Sequence, residues 1–338
     1  MTESEILTLE IERKDTFYIA SCILASFLIS FLFINLEGQV TNWITALFLC
    51  FSLSILLIPL LGLGRLKILN LVKQYISNQT LKIKVVIPIG ICIFSYIFYL
   101  LAAEAINLPG ILLLAGFIIL PTILLHFWPE SFQIKKPWID LLILALWWIT
   151  FDHRYLKDIW FAGFYYLFNA ILLVNLIIFN FVIVRDIPDI GYSLVPKMKD
   201  LKEGIVWLIP LIVVIIPIGL LTEFIAFNPP DYFRIILAPL FFLGIYLSIA
   251  IQEELVFRGM LFNILDKLID RRTLALGISA VLFGLTHWNN TAILDWRYIF
   301  LASIAGLCYG MAYWRTKNIC SASITHALVD TVWQVAFS

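Results

Sequence analysis

The sequence predicts an all-α fold, a polytopic transmembrane helical bundle, and three observations carry that reading. Hydrophobic residues make up 62% of the 338 and charged residues only 14%, too little polar surface to cover a soluble globule. The apolar residues fall in runs near the roughly 20 residues with which a helix crosses the hydrocarbon. Lysines and arginines cluster in short segments between those runs, where they report topology. Net charge is zero and no basic patch exists for nucleic acid, so nucleic acid is excluded as a partner and the lipid bilayer takes its place.

The elements follow in order. Glu3, Glu5, Glu10, Glu12, Arg13, Lys14 and Asp15 make an acidic, polar start, unlike the basic start of a secretory signal peptide. The first run is therefore expected to be retained, with Met1 as the mature start. Runs at 16–36 and 43–63 precede a basic segment (Arg65, Lys67, Lys73, Lys82, Lys84); runs at 85–105 and 108–128 precede Lys135 and Lys136. A shorter run, 138–150, either crosses or is re-entrant, which makes the total eleven spans or ten. The run 159–184 leads to Arg185, Lys197, Lys199 and Lys202, in a segment that also carries Pro188, Gly191 and Pro196. Runs at 203–223 and 234–260 lead to Lys267, Arg271 and Arg272; runs at 274–291, 298–314 and 319–337 finish the chain, with Arg315 and Lys317 before the last. If 138–150 crosses, every basic cluster lies on one side, which places the N-terminus in the cytoplasm and the C-terminus outside. The expected organisation is an N-terminal membrane region (1–185), a cytoplasmic connection (186–202) and a region carrying the chemistry (203–338).

The chemistry lies in Gln252-Glu253-Glu254-Leu255-Val256-Phe257-Arg258. Ionisable residues inside an apolar span cost several kcal/mol and mark a functional site by default, roughly 3 kcal/mol each on insertion scales. Neighbouring helical side chains diverge by about 100°, so Glu253 and Glu254 cannot share one partner. Arg258 lies four residues after Glu254, the acid-before-base spacing of an ion pair on one helix face. Glu253 is left without a local counter-charge, in the position of a group that takes and returns a proton.

Two of the four histidines lie in the later spans. His287 ends Phe283-Gly284-Leu285-Thr286-His287, and His326 stands four residues before Asp330, on the same helix face. That spacing suits a carboxylate orienting an imidazole, or two groups sharing a metal or a water. Counting from Lys267, Arg272 and Lys317, residues Glu253, His287 and His326 lie 14, 15 and 9 positions into their spans. At the helical rise these are depths of about 21, 22 and 14 Å in a core about 30 Å thick, so the three can meet. A purely structural ion network is the plainer reading of the Glu-Glu-Arg cluster, and two histidines at matching depth weigh against it. His126 and His153 are expected as hydrogen-bond partners or solvated groups, and Glu104 and Glu223 as solvated span ends. Cys22, Cys50, Cys92, Cys308 and Cys320 form no CxxC pair and read as small core residues.

These residues resemble the CPBP family of intramembrane proteases, also called the Abi family, whose eukaryotic relatives are the type II CAAX prenyl endopeptidases. Its motifs EExxxR, FxxxH and HxxxN/D are matched in order by Glu253, Glu254 and Arg258, by Phe283 and His287, and by His326 and Asp330. The small-residue run Ala302 to Gly310, with Gly306 and Gly310 four apart, is similar to the family's Gly-rich helix. The resemblance spans about residues 190–338, and the third motif ends in aspartate where the prenyl endopeptidases carry asparagine. It implies hydrolysis of a peptide bond in a membrane-associated peptide or protein, in a prokaryotic plasma membrane. Glu253, helped by His287, would activate water; His326 and Asp330 would hold the oxyanion; Glu254, Arg258 and Phe283 would support the site. No cofactor is favoured. Zinc on Glu253, His287, His326 and Asp330 stands as the alternative, although no HExxH is present. Two rival functions use the same residues: a transporter or channel with a proton or ion relay, and a non-catalytic membrane scaffold.

Overall fold

The computed structural model describes residues 12–36, 42–103, 107–127, 137–153, 155–160, 165–290 and 294–337. These residues are overwhelmingly helical, with one isolated bridge between Phe227 and Phe337 in place of any sheet. The helices are α1 (Arg13–Leu36), α2 (Trp43–Gly62), α3 (Leu66–Ser77), α4 (Leu81–Ala103), α5 (Leu108–Phe127), α6 (Trp138–Asp152) and α7 (Tyr165–Ile177). They continue as α8 (Met198–Val206), α9 (Leu208–Leu221), α10 (Tyr232–Ile245), α11 (Ile251–Glu254), α12 (Asn263–Ile269), α13 (Arg272–Leu285), α14 (Trp296–Thr316) and α15 (Ile319–Ala336). The described part of every apolar run read from the sequence is predominantly helical, and among the described residues seven segments are long and apolar enough to cross a membrane. In the run placed at 159–184 the described helix is Tyr165–Ile177, and a 3-10 turn lies at Lys157–Ile159. Lys135, Lys136, Glu104 and the acidic residues before Glu12 lie outside the described residues.

The chain forms two compact units. The first comprises 1–126 and 157–186, and its centre is α7 with the π-helical turn Ile178–Val184, buried along almost its whole length. Such a helix must satisfy its own polar groups: Asn175 Nδ2 donates to Leu56 O (2.9 Å) and to Ile171 O (2.8 Å). α2 and α4 join through Ser52 and Ser95, each hydroxyl 2.8 Å from the other's carbonyl. The basic segment after the second run contains a helix the apolar pattern does not announce. In α3 Ile68, Leu69 and Ile76 turn inward, while Lys67 reaches Asp15 at 2.6 Å and Arg65 reaches it at 3.0 Å. Lys73 pairs with Asp186. Acids distant in sequence thus balance a segment that has none of its own.

The second unit comprises 127–156 and 187–338. Its long segment Tyr232–Ile269 runs through α10, α11 and α12 with π-helical turns at Tyr246–Ala250 and Leu255–Phe262. α13 and α14 cross closely because glycine stands at the contact. A Cβ on Gly284 would lie 2.5 Å from Ile299 O, and one on Gly310 2.2 Å from Leu276 Cδ1. Gly191, at φ +66°, packs where a Cβ would meet the Lys317 carbonyl at 2.2 Å, and its own carbonyl accepts from Ile319 N at 3.0 Å. α6 lies beside the second π turn, with the rings of Trp148 and Phe257 edge to face at 5.0 Å.

Candidate active site

Glu253 and Glu254 occupy the four-residue α11, between the two π turns. A π turn adds a residue, rotates the side chains beyond it and leaves carbonyls that need other donors, a feature frequent at functional sites. Those donors are present. Ser279 Oγ donates to Phe257 O (2.9 Å), and Asn263 Nδ2 to Gly259 O (2.8 Å). The irregular helix is therefore held by α13 and by its own next turn.

The back of the site is a buried ionic cluster. Arg258 Nη1 donates to Glu254 Oε1 at 3.1 Å, its Nε lies 3.1 Å from Oε2, and its Nη2 donates to Gly306 O at 2.9 Å. Two aromatic residues, Phe283 and Tyr309, complete this shell. The guanidinium sits 4.4 Å from the ring centre of Phe283. Tyr309 stacks on His326 at 4.6 Å with the planes 11° apart, and Phe283 meets the same imidazole edge-on at 5.9 Å. His326 Nδ1 lies 2.8 Å from Glu254 Oε1. Glu254 thus serves the arginine and the histidine at once, which spreads the cost of burying three polar side chains over one network.

The front is half-open. His326 Nε2 faces two carboxylates, Asp330 Oδ2 at 3.5 Å and Glu253 Oε2 at 3.8 Å, whose side chains are 38% and 15% exposed. His287 stands on the 3-10 turn Thr286–Asn289, directly after α13. Its Nδ1 is 3.0 Å from Phe283 O. A carbonyl only accepts, so this contact assigns the hydrogen to Nδ1 and leaves the lone pair on Nε2. The imidazole lies between two rings, Phe283 at 5.0 Å and Tyr298 at 4.9 Å. Phe283, expected only as a motif residue, is the hub: its ring touches Arg258, His287 and His326, and its carbonyl orients His287.

Glu253, Glu254, Arg258, Phe283, His287, His326 and Asp330 therefore gather in one place. The spacing related His326 to Asp330, whereas the shorter contact is with Glu254; and the two glutamates, expected to have no common partner, both face this imidazole, Glu254 at Nδ1 and Glu253 at Nε2. Tyr309 and Tyr298 carried no motif signal, although Tyr309 falls inside the small-residue run. Among the described residues no three His, Cys, Asp or Glu side chains are arranged to hold a metal ion. His326 commits Nδ1 to Glu254 and keeps Nε2 toward Glu253 and Asp330. The other histidines have local partners: His126 Nδ1 is 2.6 Å from Thr122 O, one turn back on its own helix, and His153 Nδ1 is 3.4 Å from Asp152. Glu223 is exposed in a left-handed turn, φ 53°. All five cysteines are free and buried.

Residues 235–332 match the family model described as type II CAAX prenyl endopeptidase Rce1-like. The matched segment contains all three motifs and the whole ionic cluster. Neither the curated proteins nor the solved structures gave a match.

Proposed function

We propose that the chain is an intramembrane endopeptidase that hydrolyses a peptide bond of a membrane-associated protein or peptide, with Glu253 as the base. The observation that carries this reading is the division of the two glutamates. Glu254 is fully buried and bound to Arg258 and His326, while Glu253, one residue earlier, turns to the half-open side with Asp330. A carboxylate without an arginine partner, beside an imidazole and open to water, is equipped for proton transfer.

In this reading Glu253 takes a proton from water as the water oxygen attacks the scissile carbonyl carbon. The Nε2 lone pair of His287 accepts the water's other hydrogen and fixes its direction. The carbonyl oxygen becomes the oxyanion and is met by His326 Nε2–H, whose ring is set by Glu254 and Tyr309 and whose open edge Asp330 shares. Glu253 then returns its proton to the amide nitrogen, the C–N bond breaks, and the carboxylic acid and amine leave, the acid's remaining proton passing to the amine to give carboxylate and ammonium. Glu254 and Arg258 hold the frame without touching the reacting atoms. No metal enters.

The membrane placement belongs to the same proposal: N-terminus in the cytoplasm of a prokaryotic cell, residues 1–185 as a membrane region preceding the connection 186–202, and 203–338 as the protease core. The test is mass spectrometry of membrane peptides from cells that express the protein or its Glu253→Ala variant. Peptides whose new ends depend on Glu253 support the proposal and identify the substrate. Identical peptide populations, together with proton-coupled flux in liposomes that is lost in Glu253→Gln, would replace it with the relay.

A further inference from the structure

The histidine proposed to direct the water stands on the 3-10 turn after α13, and what holds its ring decides where Nε2 points. Phe283 supports one face from within the second motif. The other neighbour is Tyr298, at 4.9 Å and 57°, from the first turns of α14 and from outside all three motifs. Tyr298 shares a face of α14 with Ala302, Gly306 and Tyr309, at steps of four, four and three residues. One helix face thus bears on the site three times: Tyr309 on His326, the Gly306 carbonyl on Arg258, and Tyr298 on His287.

Tyr298 is itself braced. Phe224 lies against it at 5.3 Å and Trp333 at 6.4 Å, and these two rings meet each other at 5.4 Å. The turn that carries Phe224 is tied to α14 by Arg297, whose Nη1 donates to Thr222 O at 2.7 Å and whose Nη2 pairs with Asp295 at 2.7 Å. It is tied to α15 by Asn228 N, which donates to Ala336 O at 2.9 Å.

We infer that Tyr298 is a positioning residue for His287: its ring, braced by Phe224 and Trp333, confines the imidazole to the orientation in which Nδ1–H meets Phe283 O and Nε2 faces the water. The inference deepens the endopeptidase reading and rests on it for kinetics, but its structural half stands separately. The protein has four histidines, so a sample labelled with nitrogen-15 at histidine gives few ring signals, and His287→Ala assigns the relevant pair.

The experiment compares Tyr298→Phe, which keeps the ring, with Tyr298→Leu, which removes it. Expected for Tyr298→Phe are one His287 tautomer with a bare Nε2, and kcat within about threefold of the parent. Expected for Tyr298→Leu are mixed tautomers or ring-exchange broadening, and a kcat at least about 30-fold lower at an unchanged KM, a positioning loss of the kind a misplaced group causes. Thermal unfolding in detergent screens both variants, and Tyr298→Met replaces Tyr298→Leu if the latter does not fold. A His287 spectrum unchanged without the ring overturns the inference, as does a kcat loss in Tyr298→Phe equal to that of the ring-less variant. Absence of Glu253-dependent cleavage in the parent sinks the endopeptidase reading alone, because the tautomer measurement still decides what Tyr298 does.

Discussion

His326 makes its shorter contact with Glu254, at 2.8 Å from Nδ1, and not with Asp330, at 3.5 Å from Nε2. A glutamate on α11 therefore orients a histidine on α15, while the aspartate on the histidine's own helix lies on the open side. The two adjacent glutamates consequently differ in what their removal does.

Glu254→Ala leaves the Arg258 guanidinium buried without a carboxylate and should cost about 3–5 kcal/mol of stability. Glu253→Gln removes no such partner and should unfold within about 1 kcal/mol of the parent while cleavage disappears. Thermal or denaturant unfolding in detergent, run beside a cleavage assay, separates the two. Equal destabilisation by both substitutions contradicts the division.

Gly306 admits little bulk. An added Cβ would lie 3.1 Å from Arg258 Nη2 and 3.1 Å from Phe283 Cδ1, both tighter than ordinary contact. Gly306→Ala should therefore destabilise by about 1–3 kcal/mol and weaken the Arg258 bond to the 306 carbonyl. At Gly284 the obstacle includes backbone, Ile299 O at 2.5 Å, so Gly284→Ala should be the more damaging. Unfolding midpoints of the two variants give the order, and the reverse order refutes the close crossing of α13 and α14.

How much of this was legible beforehand depended on the range of the interaction. The Glu254 to Arg258 pair is an i, i+4 relation and could be read from spacing, as could the helical nature of every apolar run. α3 was hidden because its inward residues Ile68, Leu69 and Ile76 are interspersed with lysines, and their countercharges Asp15 and Asp186 lie far away in sequence. Glu254 to His326 spans 72 positions and Tyr309 meets His326 from a third helix, so neither leaves a local pattern. The π turns beside α11 are likewise a tertiary product: their freed carbonyls are met by Ser279 and Asn263, whose partners no periodicity announces.

Asp295 caps α14 and holds Arg297, and that hydrogen bond keeps its carboxyl below the ordinary aspartate range while the guanidinium is pushed further up. A lowered carboxyl favours the folded state above its unfolded pKa of about 3.9, and that contribution fades as pH falls through the folded value. Asp295→Asn should therefore lower the unfolding temperature at pH 7, and the gap from the parent should close below about pH 4. Unfolding scans across pH 3–8, where roughly one carboxyl titration separates the two curves, test this. A gap that persists undiminished at the acid end assigns the cap a role independent of charge.

Glu253 as a base that needs no metal makes a prediction of its own: cleavage should survive exhaustive chelation, and purified active protein should carry no stoichiometric zinc. Metal analysis beside the chelated assay decides it. Activity lost on chelation and restored by zinc would put the metal at Nε2 of His326 and its neighbouring carboxylates, with the Glu254 contact at Nδ1 kept, and would reverse the assignment of Glu253 as a metal-free base.

Asp330 gives the sharpest test of the open side. Its Oδ2 lies 3.5 Å from His326 Nε2 on a side chain 38% exposed, so it shares the imidazole edge from the open side. If its part is to complete a polar edge for the scissile carbonyl, Asp330→Asn keeps an acceptor for Nε2–H, supplies an amide donor, and should retain cleavage within about tenfold. Asp330→Leu removes both and should lose about 10²–10³ in kcat, the size of a missing oxyanion contact, with folding unchanged. If Asp330 instead acted as a proton carrier, the asparagine variant would be as inactive as the leucine one. The kcat ratio of Asp330→Asn to Asp330→Leu therefore separates a polar edge from a titrating group, and a ratio near one rules out the edge.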